Sequence, residues 1–333
     1  MKIIVFTRFR LILQIIFFFT LINSTIMADS WEKKADMPMP RYRHKSVEVN
    51  GKIYVIGGYN IGVTKRVQVY DPATDTWLDK TSMPVEMSNF SICAIDEKIY
   101  VIKGSIDAVC DLYEYDALTD IWTKKADLPT ARRDHEACSL DEKIYVIGGS
   151  SNAGVLKIVE IYDPRTDKWI KGKDMLSPKT QMAVESANGK IYTMGGLDGN
   201  LLLSGIVEEF DPNTGLWRER VSIPRPRYNL ATCVLEDRVY VIGGMVQGKK
   251  DWENVGTVEE YNPSQNRWSL KATMPTPRSK HSACSAGTNI YVFGGVGENW
   301  EQDPLSTVEK YNPWPSAISP KDDLPATWGN IKK

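Results

Sequence analysis

The reading of this chain turns on residues 41–77, with RYRH at 41–44, NGKIYVIGG at 50–58 and VQVYDPATDTW at 67–77. Ile53 to Ile56 is a short apolar run that follows an Asn50-Gly51 turn and stops at a glycine pair, the pattern of a hairpin's second strand. Val67 and Val69 alternate with polar residues and so share one face of a third strand. The Asp71-Pro72 turn then leads into a fourth strand carrying Trp77. Such a unit is a four-stranded antiparallel sheet with two apolar faces, and alone it cannot bury both.

The chain repeats the unit. Glycine pairs stand at 57, 148, 195, 243 and 294, with Lys103-Gly104 in the remaining place, at spacings of 46, 45, 47, 48 and 51 residues. An aromatic follows each (Tyr70, Tyr115, Tyr162, Phe210, Tyr261 and Tyr311), and seven residues later a tryptophan follows in five copies: Trp77, Trp122, Trp169, Trp217 and Trp268. A period of about 50 with Gly-Gly, Tyr and Trp resembles the kelch repeat over residues 31–313. The Gly-His and Trp-Asp marks of WD-type propellers are missing. The resemblance implies an all-β, six-bladed β-propeller of four-stranded antiparallel kelch blades, one quasi-symmetric domain of 29–318 with a tail of 319–333.

Trp31 lies six residues before Met37-Pro38, the spacing of Trp77 from Met83-Pro84 and of Trp268 from Met274-Pro275. It therefore reads as a fourth strand without its first three, while the sixth copy has Ile318 where its tryptophan belongs. The two defects complement each other, so the N-terminal strand is expected to close blade six and remove an exposed edge. The tail imitates a fourth strand too, with Ile318 six before Leu324-Pro325, but an indole contributes apolar area that isoleucine cannot match. Upstream, residues 1–28 have a positive start (Lys2, Arg8, Arg10), an apolar stretch from Leu11 to Ile22 and a small residue at Ala28. This is the order of a cleaved export signal, too short in its apolar part for a membrane span. Secretion or periplasmic export is expected, or a cytoplasmic protein if Met27 is the true start.

Composition is that of an ordinary soluble domain, 42% hydrophobic and 25% charged, with a formal net charge of -1 and no basic run, so nucleic acid is not an expected partner. A monomer is expected. Cys93, Cys138, Cys233 and Cys284 share one site in the innermost strands of four blades, where symmetry holds them apart from disulfide geometry and they read as packing. Cys110, read as a loop residue of blade two, is the candidate for reactivity. His44, His135 and His281 share a second site that elsewhere holds Phe90, Met182 and Leu230, which makes packing rather than metal binding the reading, and no cofactor or metal is expected.

Three residues before that site stands a cation: Arg41, Arg132, Lys179, Arg227 and Arg278, with Met87 as the exception. Two readings stay open. One is that these residues pair with acids of the neighbouring blade and brace the ring, in keeping with the Arg that the kelch resemblance implies at this position. Alternatively, with Arg43, Arg133, Arg225 and Lys280, they form a basic ring at the central opening suited to carboxylates. Strand alternation puts these entry segments on the same face as the loops that follow Gly-Gly. Blades five and six carry insertions there, Met245 to Val255 and Val296 to Thr307, holding Trp252 and Trp300. Glu185 occupies the site of Cys or Val in other blades and is expected either to pair with a cation such as Lys179, to face channel water, or to act as an acid or base.

The resemblance implies a binding platform before an enzyme. Sialic-acid mutarotases place a catalytic acid in the glycine pair, and no pair here contains Glu. Galactose oxidase needs copper on two His and two Tyr, whereas the histidines here are repeat-equivalent. The expected function is therefore a protein-binding scaffold acting through entry-face loops, with a carbohydrate-binding propeller or a mutarotase-like enzyme as alternatives. The ligand candidates are Arg41, Arg43, Arg132, Arg133, Arg227, Arg278, Trp252, Trp300 and Glu185.

Overall fold

Blade one is built from Lys45–Val49, Lys52–Ile56, Val67–Asp71 and Thr76–Lys80, hydrogen-bonded in that order and all antiparallel. The computed structural model describes residues 29–249, 251–297 and 304–314, and there the chain forms six such four-stranded sheets. Together they are the six blades of a β-propeller. None of the described residues forms a helix long and apolar enough to cross a membrane. The segment read as an export signal, Trp300 and the tail with Ile318 lie outside the described residues.

The near-continuous apolar second strand has a direct cause. Ile53 and Val55 pack with Tyr291, Phe293 and Val308 of blade six, while Tyr54 and Ile56 pack with Ile99, Val101 and Tyr115 of blade two. Each blade is thus covered on both faces by its neighbours. Full burial of each such side chain contributes on the order of 1.5–3 kcal/mol, which no isolated blade could collect.

Closure follows the tryptophan signal. Ser30–Lys34 pairs with Val308–Asn312, and Trp31 stands opposite Tyr311 as Trp77 stands opposite Tyr70. The Trp31 indole donates to Ala272 O at 2.9 Å, as Trp77 donates to Ala35 O at 3.0 Å. A second residue shares the task. Tyr70 donates its hydroxyl to Asp75, and Asp75 also accepts from the Ala35 amide; Tyr311 and the Ala272 amide find their acceptor in Asp29. The N-terminal segment therefore carries both the indole and the carboxylate of the missing strand. Asp-x-Trp recurs at Asp75, Asp120 and Asp167, with Asn266 in blade five, all at left-handed φ, and would have revealed Asp29 in the sequence. Blade four has Phe210 without a hydroxyl and Gly215 without a carboxylate, so donor and acceptor are absent together.

Candidate functional site

The cations before the inner strands are candidates by their charge. Arg41, Arg132, Lys179, Arg227 and Arg278 are completely buried. Each reaches the third strand of its own blade: Arg132 meets Glu160 at 2.6 Å, Arg227 meets Glu259 at 2.5 Å, Arg278 meets Glu309 at 2.8 Å and Lys179 meets Glu208 at 3.3 Å. Arg41 donates to the neutral Gln68 at 2.6 Å. The four guanidiniums also donate to the carbonyl of the first glycine in their own blade's pair, as Arg278 does to Gly294 O at 2.9 Å. Bracing is thus the role these residues take, but the acids belong to the same blade rather than the neighbouring one. The link between blades is made by backbone: the second glycine's amide donates across the gap, Gly244 to Arg278 O at 2.9 Å and Gly295 to Arg41 O at 3.0 Å. Blade two changes both members together, since Met87 replaces the cation and Tyr113 takes the acid's position in one apolar cluster.

Two residues further on, the chain turns through left-handed φ at Arg43, Asp134, Gln181, Asn229 and Lys280, with values of 51–55°. This conformation aims each amide sideways. Arg43 N donates to Lys280 O at 2.8 Å, Lys280 N to Asn229 O at 3.0 Å, and Gln181 N to Asp134 O at 3.2 Å. Asn89 Nδ2 donates to the Asp134 carboxylate, and Asn89 Oδ1 accepts from the Asp134 backbone amide, both at 3.0 Å. The result is a collar at the channel mouth, around a cavity of about 80 Å³. Its charge is divided rather than uniformly basic: Arg43, Lys45 and Lys280 come from blades one and six, Asp134 and Glu136 from blade three.

Below the collar lies a cavity of about 350 Å³, lined by the innermost strands of all six blades. These strands pair only with their own second strands, so their inner ladder edges face the channel unpaired. Lys45 and Glu136 form an ion pair across blades, and both line the mouth and the cavity beneath it. Glu185 also lines this cavity and accepts from Thr232 Oγ1 at 2.7 Å. Burial and the nearby Glu136 push its carboxyl up to about 7, against the opposing influence of Thr232 and Lys45. Lys179, engaged by Glu208, is not its partner.

Several large apolar side chains stand at loop tips on the entry-face rim. Ile61 is 95% exposed, Val109 56%, Leu201 62%, Leu202 63% and Trp252 38%. Entry segments and post-glycine loops are joined by bridges such as Tyr42–Tyr59 and Tyr228–Met245, which confirms that they share one face. Trp252 opens the second strand of a small hairpin (Met245–Gln247 with Trp252–Asn254) and stands edge-on to Tyr228 at 5.1 Å. It therefore leans on the entry segment of its blade and not only on its own loop. Tyr42 packs on Tyr59 with the Lys280 ammonium 5.4 Å above its ring.

Comparison with known proteins agrees with this geometry. The profile of the KLHDC2/KLHL20/DRC7 Kelch-repeats domain matches residues 12–196, more than half the chain, and that of the Attractin/LZTR1 beta-propeller matches residues 106–311. The chain belongs to the kelch-repeat β-propellers. Human Kelch-like protein 30 is 49% identical over 47 residues, a match covering 14% of this chain and 8% of that protein. Among solved structures, that of YjhT superposes with a TM-score of 0.71 at 15% identity, over 83% of this chain and 95% of the other; at that identity the likeness speaks for the fold alone.

In this kelch propeller the candidate residues separate by depth. Arg41, Arg132, Arg227 and Arg278 are sealed inside blades and cannot meet a ligand. Arg43, Arg133 and Arg225 are exposed on the entry face, with Arg133 3.7 Å from Asp134 and Arg225 3.6 Å from Glu253. Glu185 faces the channel. Cys110 is not a loop residue: it begins a third strand, fully buried against the carbonyls of Ser105 and Arg132, which removes it as a reactive thiol. His44, His135 and His281 are buried, and burial beside the brace arginines lowers them, His135 and His281 to about 3. The carboxylate partners of the braces were missed, although Gln or Glu two residues before each blade aromatic (Tyr113 in blade two, Val69 and its like one residue on) marks their position.

Proposed function

We propose that this kelch propeller is an interaction scaffold that binds a protein partner on its entry face. The observation that carries the reading is the crown of exposed apolar loop tips (Ile61, Val109, Leu201, Leu202 and Trp252) beside the cations Arg43, Arg225 and Lys280. Aromatic and arginine side chains around a rigid base are the composition of protein-binding hot spots. The opposite face offers tight polar turns such as Asn50-Gly51, Asp141-Glu142 and Asn188-Gly189, and its exposed apolar residues include Leu118 and Trp314. The cations favour a partner segment that is acidic as well as apolar.

A peptide-display library panned on the full chain tests this. Selected peptides should be rich in acidic and apolar residues, and Trp252→Ala should weaken them by about tenfold, the effect of losing a modest hot spot. Peptides indifferent to Trp252→Ala and Arg43→Glu, but lost when the Asp141-Glu142 turn is altered, would put the binding face on the other end of the ring.

A further inference from the structure

The entry-face reading leaves the central cavity without a role, and its wall has an uneven charge. The carboxyl and amine side chains that line it are Lys45, Glu48, Glu136 and Glu185. Lys45 is engaged by Glu136, and Glu48 accepts from the Gly51 amide at its own turn. Glu185 has one protein partner, Thr232 on Oε1, and no group among the described residues engages Oε2.

We propose that the central cavity binds a small polar molecule bearing a protonated amine and hydroxyl groups, with Glu185 as the counter-ion of the amine and the open inner strand edges as partners of its hydroxyls. Several observations select this chemistry. The open charge is a carboxylate, and the one cation of the wall is already paired. An inorganic ion fits poorly, because no group of three His, Cys, Asp or Glu among the described residues is placed to hold a metal. An ammonium needs three acceptors, of which a carboxylate supplies one while the unpaired carbonyls of the inner strand edges supply others. The cavity of about 350 Å³ is at the small end of the range for ligand sites.

The groups around Glu185 define how binding responds to pH. Glu136 and Lys45 face it with opposite charges, Thr232 donates to it, and Cys138, Cys233 and Cys284 are thiols that burial keeps neutral. A cation recruits the ionised form of Glu185, so affinity rises as the medium becomes more basic through the region near 7 where this carboxyl titrates.

The test needs no knowledge of the natural ligand and no protein partner, so it stands or falls apart from the scaffold reading. Glucamine, sorbitol and gluconate are one polyol chain ending in an ammonium, a hydroxyl and a carboxylate. Titration calorimetry on the full chain should show glucamine binding about tenfold tighter than sorbitol, a difference of about 1.4 kcal/mol, with gluconate weakest. The advantage of glucamine should grow from about pH 6 to about pH 8. E185Q, which mimics the protonated carboxyl, should bring glucamine and sorbitol to similar affinity. Binding led by gluconate, an advantage of glucamine that survives E185Q in a protein with unchanged melting, or no binding by any of the three would overturn the proposal.

Discussion

Arg41 and Arg43 are separated by one residue, carry the same charge, and have opposite fates. The first is completely buried and holds Gln68 and the Gly57 carbonyl; the second is exposed on the channel collar at left-handed φ. The first position is likewise buried at Arg132 and Arg278, and the second is half-buried at Asp134 and Lys280. One position per blade is structural and wants a long planar cation that reaches the third strand. The next but one needs only a backbone able to turn, and its side chain is free to vary. A charge that recurs in a repeat is therefore evidence of the fold before it is evidence of a ligand.

The largest effect should come from breaking a brace. Arg278→Ala strands the Glu309 carboxylate in the interior and should destabilise by ~3–5 kcal/mol, whereas Arg41→Ala leaves only the neutral Gln68 and should cost ~1–3 kcal/mol. Denaturant melts of the two variants measure the difference, and equal losses would mean that the stranded charge is not what matters.

A smaller effect separates the buried histidines from the rim. His281 is held to about 3 when folded against an ordinary value near 6.5, so the unfolded chain takes up its proton first. Stability is full above the unfolded value and falls as pH drops towards 3, by about 1 kcal/mol per pH unit for each such histidine. His281→Phe, which copies Phe90 of blade two, should flatten that acid limb and leave melting at neutral pH little changed. An unaltered acid limb in a series of thermal melts would show that another group governs it. Smallest of all should be Arg43→Glu, with an unchanged melting temperature but slower association with acidic peptides and a weaker salt dependence; a loss of stability there would erase the contrast with Arg41.

Much of this was legible because a repeat is read several times over. Gly-Gly, Tyr and Trp fall at the same spacing in blade after blade, and Trp31 stands at the wrong end of the chain for any blade but the last. The equivalence of the cysteines and of the histidines was likewise visible in the spacing. Periodicity reports which residues are alike. It does not report which way a side chain turns, and that is where reading stopped: at the acid each arginine would meet, at the burial of Cys110, and at Lys179, which meets Glu208 instead of Glu185.

By itself, then, the sequence determined the strand order, the number of blades and the strand that closes the ring, because these depend on local turns and on apolar runs that need a neighbour on each side. Only the tertiary structure decided which charges are interior and which are offered to a partner. That choice rests on distances across a blade and across the channel, between residues such as Lys45 and Glu136 that lie 91 positions apart and meet only once six blades have closed.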